Sequence, residues 1–418
     1  MRVELITIGD ELLLGFVVDT NAAMLARELA AVGVEIIWRT TVLDDADAIA
    51  RAVRDALDRT GAAITTGGLG PTSDDMTKPA IAALFGRELR LDEGILAGIE
   101  ERFRQFGLRT PMPPGNRQQA LIPVGARVLA NRHGTAPGIW LEDERGRWVA
   151  MFPGVPRELR GMLADELIPL LRARAGTNPR VVASRTLRTT GIGESALSEA
   201  LGELAGGFPE MPLAYNPKWQ GTDIRITARN LPVDEAARRL DDGIARLRER
   251  AGAFVYGEDD ADLAEVVLRD ARAAGLRIAT AESCTGGLLG GRITAIAGSS
   301  DVYLGGIIAY ANEVKVSTLG VPPATIVEHG AVSEEVARAM AQGARRAIGS
   351  EIGVAITGIA GPGGGSADKP VGTVWIAADV AGSVRAHGRV YVGDREEIRL
   401  RATQAALDMI RRAIATGA

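Results

Sequence analysis

The stretch Ile278-Ala279-Thr280-Ala281-Glu282-Ser283-Cys284-Thr285-Gly286-Gly287 is where the fold can first be read. Its opening is a short, small-residue apolar run, and the pattern predicts a strand over 277–281. The glycine pair then breaks that strand into a turn. A strand that feeds a glycine-rich turn and then a helix is the repeating unit of a parallel α/β sheet. The carboxyl edge of such a sheet presents side chains to solvent beside the N–H groups of a helix start, which is where these folds bind ligands.

The same alternation runs outward from this point. Downstream, strands are expected at 305–309 and 352–357, a hairpin at 371–380 and 383–391 around Ala381-Gly382, and a final helix at 395–413. Upstream lies a helix over 263–274. The first part of the chain repeats the pattern, with strands at 3–9, 34–41 and 62–66 and helices at 21–32 and 45–59. Ile49, Val53 and Leu57 give the second helix an apolar side, and Gly33 ends the first. Pro153-Gly154-Val155-Pro156 and a helix through Leu171 close this unit. Gly176-Thr177-Asn178-Pro179 and Gly257-Glu258-Asp259-Asp260 read as linkers. Between them the order is strand, helix, strand, strand, helix. The expected fold class is therefore α/β: two α/β sheet domains, at 1–172 and 258–418, joined by a small α+β domain at 178–254.

Bulk properties agree. A chain of 418 residues exceeds one ordinary core. Aromatics are only 4%, so the cores must be built from Ala, Val, Leu and Ile. The net charge of −5 gives no basic face for gripping nucleic acid. One cysteine, Cys284, allows no intrachain disulfide, as expected in a reducing compartment. Glu4, Asp10 and Glu11 interrupt any signal-peptide core, and no apolar run is long enough for a membrane helix. A cytoplasmic protein with no membrane partner is expected.

Ser283 is placed to act as an acyl-transfer nucleophile, with backbone donors nearby for an oxyanion. The pattern equally suits a phosphate-binding turn. A serine hydroxyl needs a base, and with three histidines in the chain a histidine-based triad is poorly supplied. Lys315, with Tyr310 at the end of the preceding strand, offers an alternative, because burial lowers a lysine pKa into a useful range. Thr357-Gly358-Ile359-Ala360-Gly361-Pro362-Gly363 follows another buried strand and makes N–H groups available to an anion. Cys284 competes as nucleophile but has no paired histidine motif and reads as a small buried residue.

At the other end, Gly67-Gly68-Leu69-Gly70-Pro71-Thr72-Ser73-Asp74-Asp75 follows a strand and precedes a helix. Its glycines let backbone approach a phosphate. Asp74 and Asp75 suit a divalent metal held against a pyrophosphate, or simply helix capping. Gly9-Asp10-Glu11, Asp19-Thr20-Asn21 and Asp44-Asp45 add acids at other strand ends.

Three segments, 281–287, 310–315 and 357–362, resemble the CinA C-terminal domain family of nicotinamide-nucleotide amidohydrolases. The resemblance implies hydrolysis of nicotinamide mononucleotide to nicotinate mononucleotide and ammonia. It assigns the nucleophile to Ser283, with Tyr310 and Lys315 assisting. It places Thr285, Gly286, Gly287, Thr357, Gly361 and Gly363 at the substrate, with Arg399 or Arg395 for the phosphate. No cofactor is implied for this reaction. Residues 1 to about 170 are similar to the MoaB/MogA-like molybdopterin-binding domain as it occurs in CinA. There the resemblance implies a metal-dependent ADP-ribose pyrophosphatase. Its substrate would lie at Gly67, Gly68, Gly70 and Thr72, and its divalent ion (magnesium, manganese or cobalt, with potassium as a further ion) at Asp44, Asp74 and Asp75. The middle unit resembles a KH-type domain, but its loop, Thr190-Gly191-Ile192-Gly193-Glu194, departs from the nucleic-acid-clamping pattern. From Arg172 to Arg250 there are 13 basic and 10 acidic residues, which favours a structural or dimerising role over nucleic-acid binding. A homodimer is the family expectation. The alternatives are a competence- or damage-linked binding protein and a molybdopterin-binding protein.

Overall fold

The structure, a computed structural model, describes residues 1–105, 107, 111–175 and 180–416. The 176–179 linker lies outside the described residues.

The N-terminal domain is built on strands β1 (Arg2–Ile8), β2 (Glu35–Val42), β3 (Ala62–Thr66), a small pair β4 (Leu89–Leu91) and β5 (Leu121–Pro123), and β6 (Arg127–Leu129), β7 (Gly138–Glu142) and β8 (Trp148–Phe152). The main sheet has the order β2-β1-β3-β8-β7-β6. Its first four strands are parallel, as the strand–helix alternation predicts. β7 and β6 add an antiparallel edge that periodicity did not predict. Leu5, Ile64 and Phe152 face one layer, with Leu25, Leu29 and Leu163 of the covering helices. Ile6, Ala63 and Met151 face the other, with Ile49, Val53 and Ile81. Each fully buried Leu or Ile contributes roughly 1.5–3 kcal/mol relative to exposure.

The middle domain has β9 (Arg180–Thr189), helix Glu194–Leu201, β10 (Gly207–Phe208), β11 (Met211–Lys218), β12 (Gly221–Pro232), helix Val233–Ala251 and β13 (Val255–Glu258). Its sheet order is β10-β11-β12-β9-β13.

The C-terminal domain is a five-stranded sheet, β15-β14-β16-β17-β18, with β14 (Ile278–Glu282), β15 (Tyr303–Ile308), β16 (Ile352–Gly358), β17 (Thr373–Val380) and β18 (Ser383–Val390). β15, β14 and β16 are parallel, and β17 and β18 form the expected antiparallel hairpin. Helices Leu263–Ala274 and Arg395–Ala415 pack on one face. Helix Glu334–Ile348 covers the other through Val336, Met340 and Ala344.

By backbone proximity the chain divides into two compact units, 1–183 with 228–239, and 184–227 with 240–418. Among the described residues, no helix is long and apolar enough to cross a membrane.

Candidate functional site

β14 ends at Glu282, and Ser283 opens the turn, its N–H bonded to the Ile356 carbonyl of neighbouring β16 at 2.9 Å. Gly286 and Gly287 take positive φ values of 59° and 97°, a conformation that side chains disfavour. This bend lets the chain re-enter a helix at Leu288–Thr294.

Glu282, only 2% exposed, organises the turn. Its Oε2 accepts the N–H groups of Gly287 and Leu289, both at 3.0 Å, and its Oε1 accepts that of Gly290 at 2.8 Å. The helix-start donors expected to meet an oxyanion are therefore already occupied. What remains is the N–H of Thr285, and that of Cys284 apart from its own thiol; among the described residues neither donates elsewhere. The Thr285 hydroxyl is fully buried and has no partner. Glu282 was legible as an acid in the motif, but its role was not.

Lys315 lies in the short helix Asn312–Ser317 and is 1% exposed. Its Nζ donates to the carbonyls of Ala309 at 2.9 Å and Tyr310 at 3.2 Å. Ala309 follows β15, and its N–H bonds to the Glu282 carbonyl at 2.8 Å, so the amine sits at the end of β15, beside the end of β14. Burial holds the Lys315 amine below the ordinary lysine range. A neutral amine has two N–H groups and one lone pair, so two carbonyl acceptors leave the lone pair free.

Tyr310 is largely exposed, and Arg395 Nη2 donates to its hydroxyl at 3.1 Å. The same guanidinium donates through Nη1 to the Gly361 carbonyl at 2.5 Å. Arg399, one helical turn on, donates to the carbonyls of Cys284 at 3.1 Å and Thr285 at 2.7 Å. Arg395 therefore links Tyr310 to the Gly361 loop, while Arg399 braces the Ser283 turn. Thr357, 1% exposed, donates its hydroxyl to the Ala331 carbonyl at 2.7 Å, and a Cβ at Gly363 would meet open space. Burial pushes the Cys284 thiol up to about 11, so it is protonated near neutral pH.

In the N-terminal domain, β3 runs into Gly67 and Gly68, both at positive φ. A Cβ at Gly68 would collide with the Thr77 hydroxyl and approach Asp44 Oδ1 at 3.1 Å. This turn lines a cavity of about 410 Å³ with Glu11, Asp44, Gly70, Asp74 and Asp75. Asp75 holds the loop itself: Oδ1 accepts Gly70 N–H at 2.7 Å, and Oδ2 accepts the Thr72 N–H at 2.8 Å and hydroxyl at 2.6 Å. Asp19 and Asp45 cap helices, and Asp19 also pairs with Arg39. Asp44 has no such duty. Its Oδ1 is buried without a partner. Burial first, then Asp10, Asp75, Glu11 and Asp74, raises its carboxyl from 3.8 to about 6. Lys78, buried behind the loop, donates to the carbonyls of Gln118 at 2.5 Å and Gln119 at 3.1 Å, and burial brings it down to about 8.

Among the described residues, no three acidic, imidazole or thiol side chains already converge as a ready-made metal set. The residues that could take part in holding a divalent ion lie around Asp44. Asp44 offers a buried oxygen with no donor, and Asp10, Glu11 and Asp74 share its field.

Comparison with known proteins places each part of the chain. Residues 260–414 match the family described as CinA C-terminal domain, 4–173 that described as probable molybdopterin binding domain, and 184–257 that described as damage-inducible protein CinA KH domain. Over 416 residues the chain is 60% identical to a CinA-like protein of Gemmatimonas aurantiaca, covering 99% of this chain and 97% of that one. It is 44% identical over 418 residues to a CinA-like protein of Salinibacter ruber, covering 99% and 100%. A solved structure of competence/damage inducible protein CihA from Agrobacterium tumefaciens is 46% identical, covering 37% of this chain and 93% of that chain, with a TM-score of 0.36. With both full-length relatives aligned from end to end, the chain belongs to the CinA family of competence/damage-inducible proteins, with its molybdopterin-binding-like, KH and C-terminal domains in that order.

Proposed function

We propose that the chain is a bifunctional hydrolase of pyridine-nucleotide recycling, and that its C-terminal domain hydrolyses nicotinamide mononucleotide. The observation that carries this reading is Lys315, a buried amine whose two hydrogen bonds go to carbonyls at the strand end beside Ser283. The choice of substrate rests on the resemblance of the three segments that carry Ser283, Tyr310 and Thr357.

Ser283 Oγ attacks the carboxamide carbon as its proton passes to the Lys315 lone pair. The C=O π bond opens to an oxyanion, which the Thr285 and Cys284 N–H groups receive. The C–N bond then breaks, Lys315 returns the proton to nitrogen, and ammonia leaves. An ester on Ser283 remains. Water adds to it with Lys315 again as base, which releases nicotinate mononucleotide and restores the hydroxyl. Arg395, more exposed than Arg399, is the residue assigned to the substrate phosphate, with Tyr310 beside it.

The N-terminal domain, on this proposal, cleaves ADP-ribose to AMP and ribose 5-phosphate. Asp44, with Asp10 and Asp74, would hold a divalent metal, which supplies charge neutralisation at the phosphoryl oxygens. The Gly67 N–H is taken by Phe152 O and that of Gly70 by Asp75, so among the described residues the Gly68 N–H is the glycine donor left for the pyrophosphate. The molybdopterin-binding description of this domain favours a second reading, in which the same cleft takes a pterin. Incubation with ADP-ribose and manganese, with AMP measured, separates the two. Release of AMP supports hydrolysis. Pterin binding without AMP release supports the second reading. For the C-terminal site the test is ammonia release from nicotinamide mononucleotide, by the wild type and by Ser283→Ala.

A further inference from the structure

A second cavity in the unit that holds the C-terminal domain has no role in either reaction. Its volume is about 730 Å³, within the range of small-molecule sites. It is built from the loop 190–194, the turn 217–222, the outer strand β18 and one side of the final helix. It shares no lining residue with the Ser283 turn, Tyr310, Lys315 or the Gly361 loop.

Its charges do not balance. Among the lining cations, Lys218 pairs with Asp223 at 3.0 Å, and Arg412 with Asp408 at 2.8 Å. Arg385, Arg389 and Arg401 have no carboxylate partner among the described residues. Arg385 donates to the Thr416 hydroxyl at 3.3 Å, and Arg389 lies 5.7 Å over the Tyr391 ring. The Arg401 Nε is buried with no hydrogen-bond partner. Gln404 is 3% exposed, and its Oε1 is likewise unpartnered. Buried polar atoms left without partners cost on the order of 1–3 kcal/mol each, so native folds satisfy them with something.

The complement of this site is specific. Guanidinium forks match a phosphate in paired hydrogen bonds. Trp219 lines the same cavity, with Arg292 over its ring at 6.0 Å, and offers a flat face to a planar ring. The unpartnered Gln404 oxygen is an acceptor for an exocyclic amino group. We propose that this cavity is a binding site for a mononucleotide: the phosphate on Arg385, Arg389 and Arg401, the base against Trp219 and its amino group on Gln404.

A nucleic-acid strand is disfavoured by the loop. Thr190 is fixed by its N–H to Phe254 O and its hydroxyl to Gln220 O, both at 3.0 Å.

The test titrates the full chain with AMP and follows tryptophan fluorescence. AMP is expected to quench fluorescence saturably, and Trp219→Phe should remove that change, which localises it away from the two proposed active sites. Arg389→Glu, on an exposed position of β18, should weaken AMP at least about tenfold while ammonia release from nicotinamide mononucleotide stays unchanged. Adenosine and inorganic phosphate should each bind at least about tenfold more weakly than AMP. Equal AMP affinity in Arg389→Glu overturns the proposal, as does quenching that survives Trp219→Phe. Tighter, salt-dependent binding of single-stranded oligo(A) than of AMP would also overturn it, in favour of nucleic acid.

Discussion

The two glycine-rich turns of this chain solve one folding problem and leave two different chemistries. In each, a buried parallel strand ends, glycines at positive φ bend the chain, and a carboxylate gathers the loose N–H groups. Asp75 gathers those of Gly70 and Thr72 from downstream. Glu282 gathers those of Gly287, Leu289 and Gly290 from the last strand position. Each turn also has a buried lysine close by, donating to two backbone carbonyls, Lys78 at one and Lys315 at the other. The difference is what else faces the cleft. At the N-terminal turn the hydroxyls of Thr72 and Thr77 are already donating, and Asp44 stands in the field of four other acids. At the C-terminal turn the one acid is fully engaged and Ser283 stands beside the amine's strand end. On the proposed reading, the cluster of acids takes a cation, and the hydroxyl beside the strand end that holds the lysine takes up covalent catalysis.

The sharpest break of this comparison is Ser283→Ala. It should lower ammonia release by about 10⁴-fold or more, while ADP-ribose hydrolysis continues unchanged. A full rate of ammonia release in this variant would remove the covalent half of the contrast. Next in size is Lys315→Met, expected to lower kcat by about 10²–10⁴-fold. Only the neutral amine accepts a proton, so the wild-type rate should rise with pH through the Lys315 pKa. Because burial lowers that pKa, the rise should fall on the acid side of an ordinary lysine's. In Lys315→Met this limb should vanish from a kcat–pH profile. A limb that survives would assign it to another group.

The N-terminal half of the contrast is tested by Asp44→Asn. An aspartate whose folded-state pKa is raised favours the folded chain only while it is protonated. Its contribution is whole below its ordinary 3.8 and is lost as pH rises through about 6. The uncharged asparagine escapes that loss. Asp44→Asn should therefore raise Tm above pH 6 and leave it unchanged below pH 4 when no metal is added. With a divalent ion the order should reverse, since the wild type then gains more by binding. Metal-dependent ADP-ribose hydrolysis should fall at least about tenfold. Equal metal stabilisation of both proteins would remove Asp44 from the site.

How much of this was readable from residues differs by element. The parallel strands were legible because they are short runs of small and β-branched residues leading into glycine-rich turns, as at 62–66 and 278–282. The hairpin of β17 and β18 was legible from two long runs around Ala381-Gly382. The antiparallel edge of β6 and β7 was not, because β6 is three residues long and the apolar pattern of β7 does not say which way it pairs. The residues of the two sites were visible as a set of types. Their assignments were not, because these depend on partners that only folding brings together. Glu282 reads as one more acid until three N–H groups from residues 287–290 close on it. Lys315 reads as a surface charge in a six-residue helix until its neighbours bury it. Asp75 and Asp44 look alike in sequence, yet one is consumed by its own loop and the other has an oxygen without a donor.

The smallest expected effect is at Cys284, and it discriminates between neighbouring nucleophiles. The thiol adjoins Ser283 in sequence and is the stronger nucleophile once ionised. Its burial, 6% exposed, keeps it protonated near neutral pH, with a pKa of about 11. A buried, protonated thiol behaves as a small apolar group, packed close to Gly358. Cys284→Ala should then cost only about 1 kcal/mol through the small void it leaves. Ammonia release should stay within about twofold of the wild type. Were the thiol the attacking group, the same substitution would match the loss expected of Ser283→Ala, and iodoacetamide would inactivate the wild type at neutral pH. A single pair of variants at adjacent positions thus decides whether the C-terminal turn works through oxygen or sulfur.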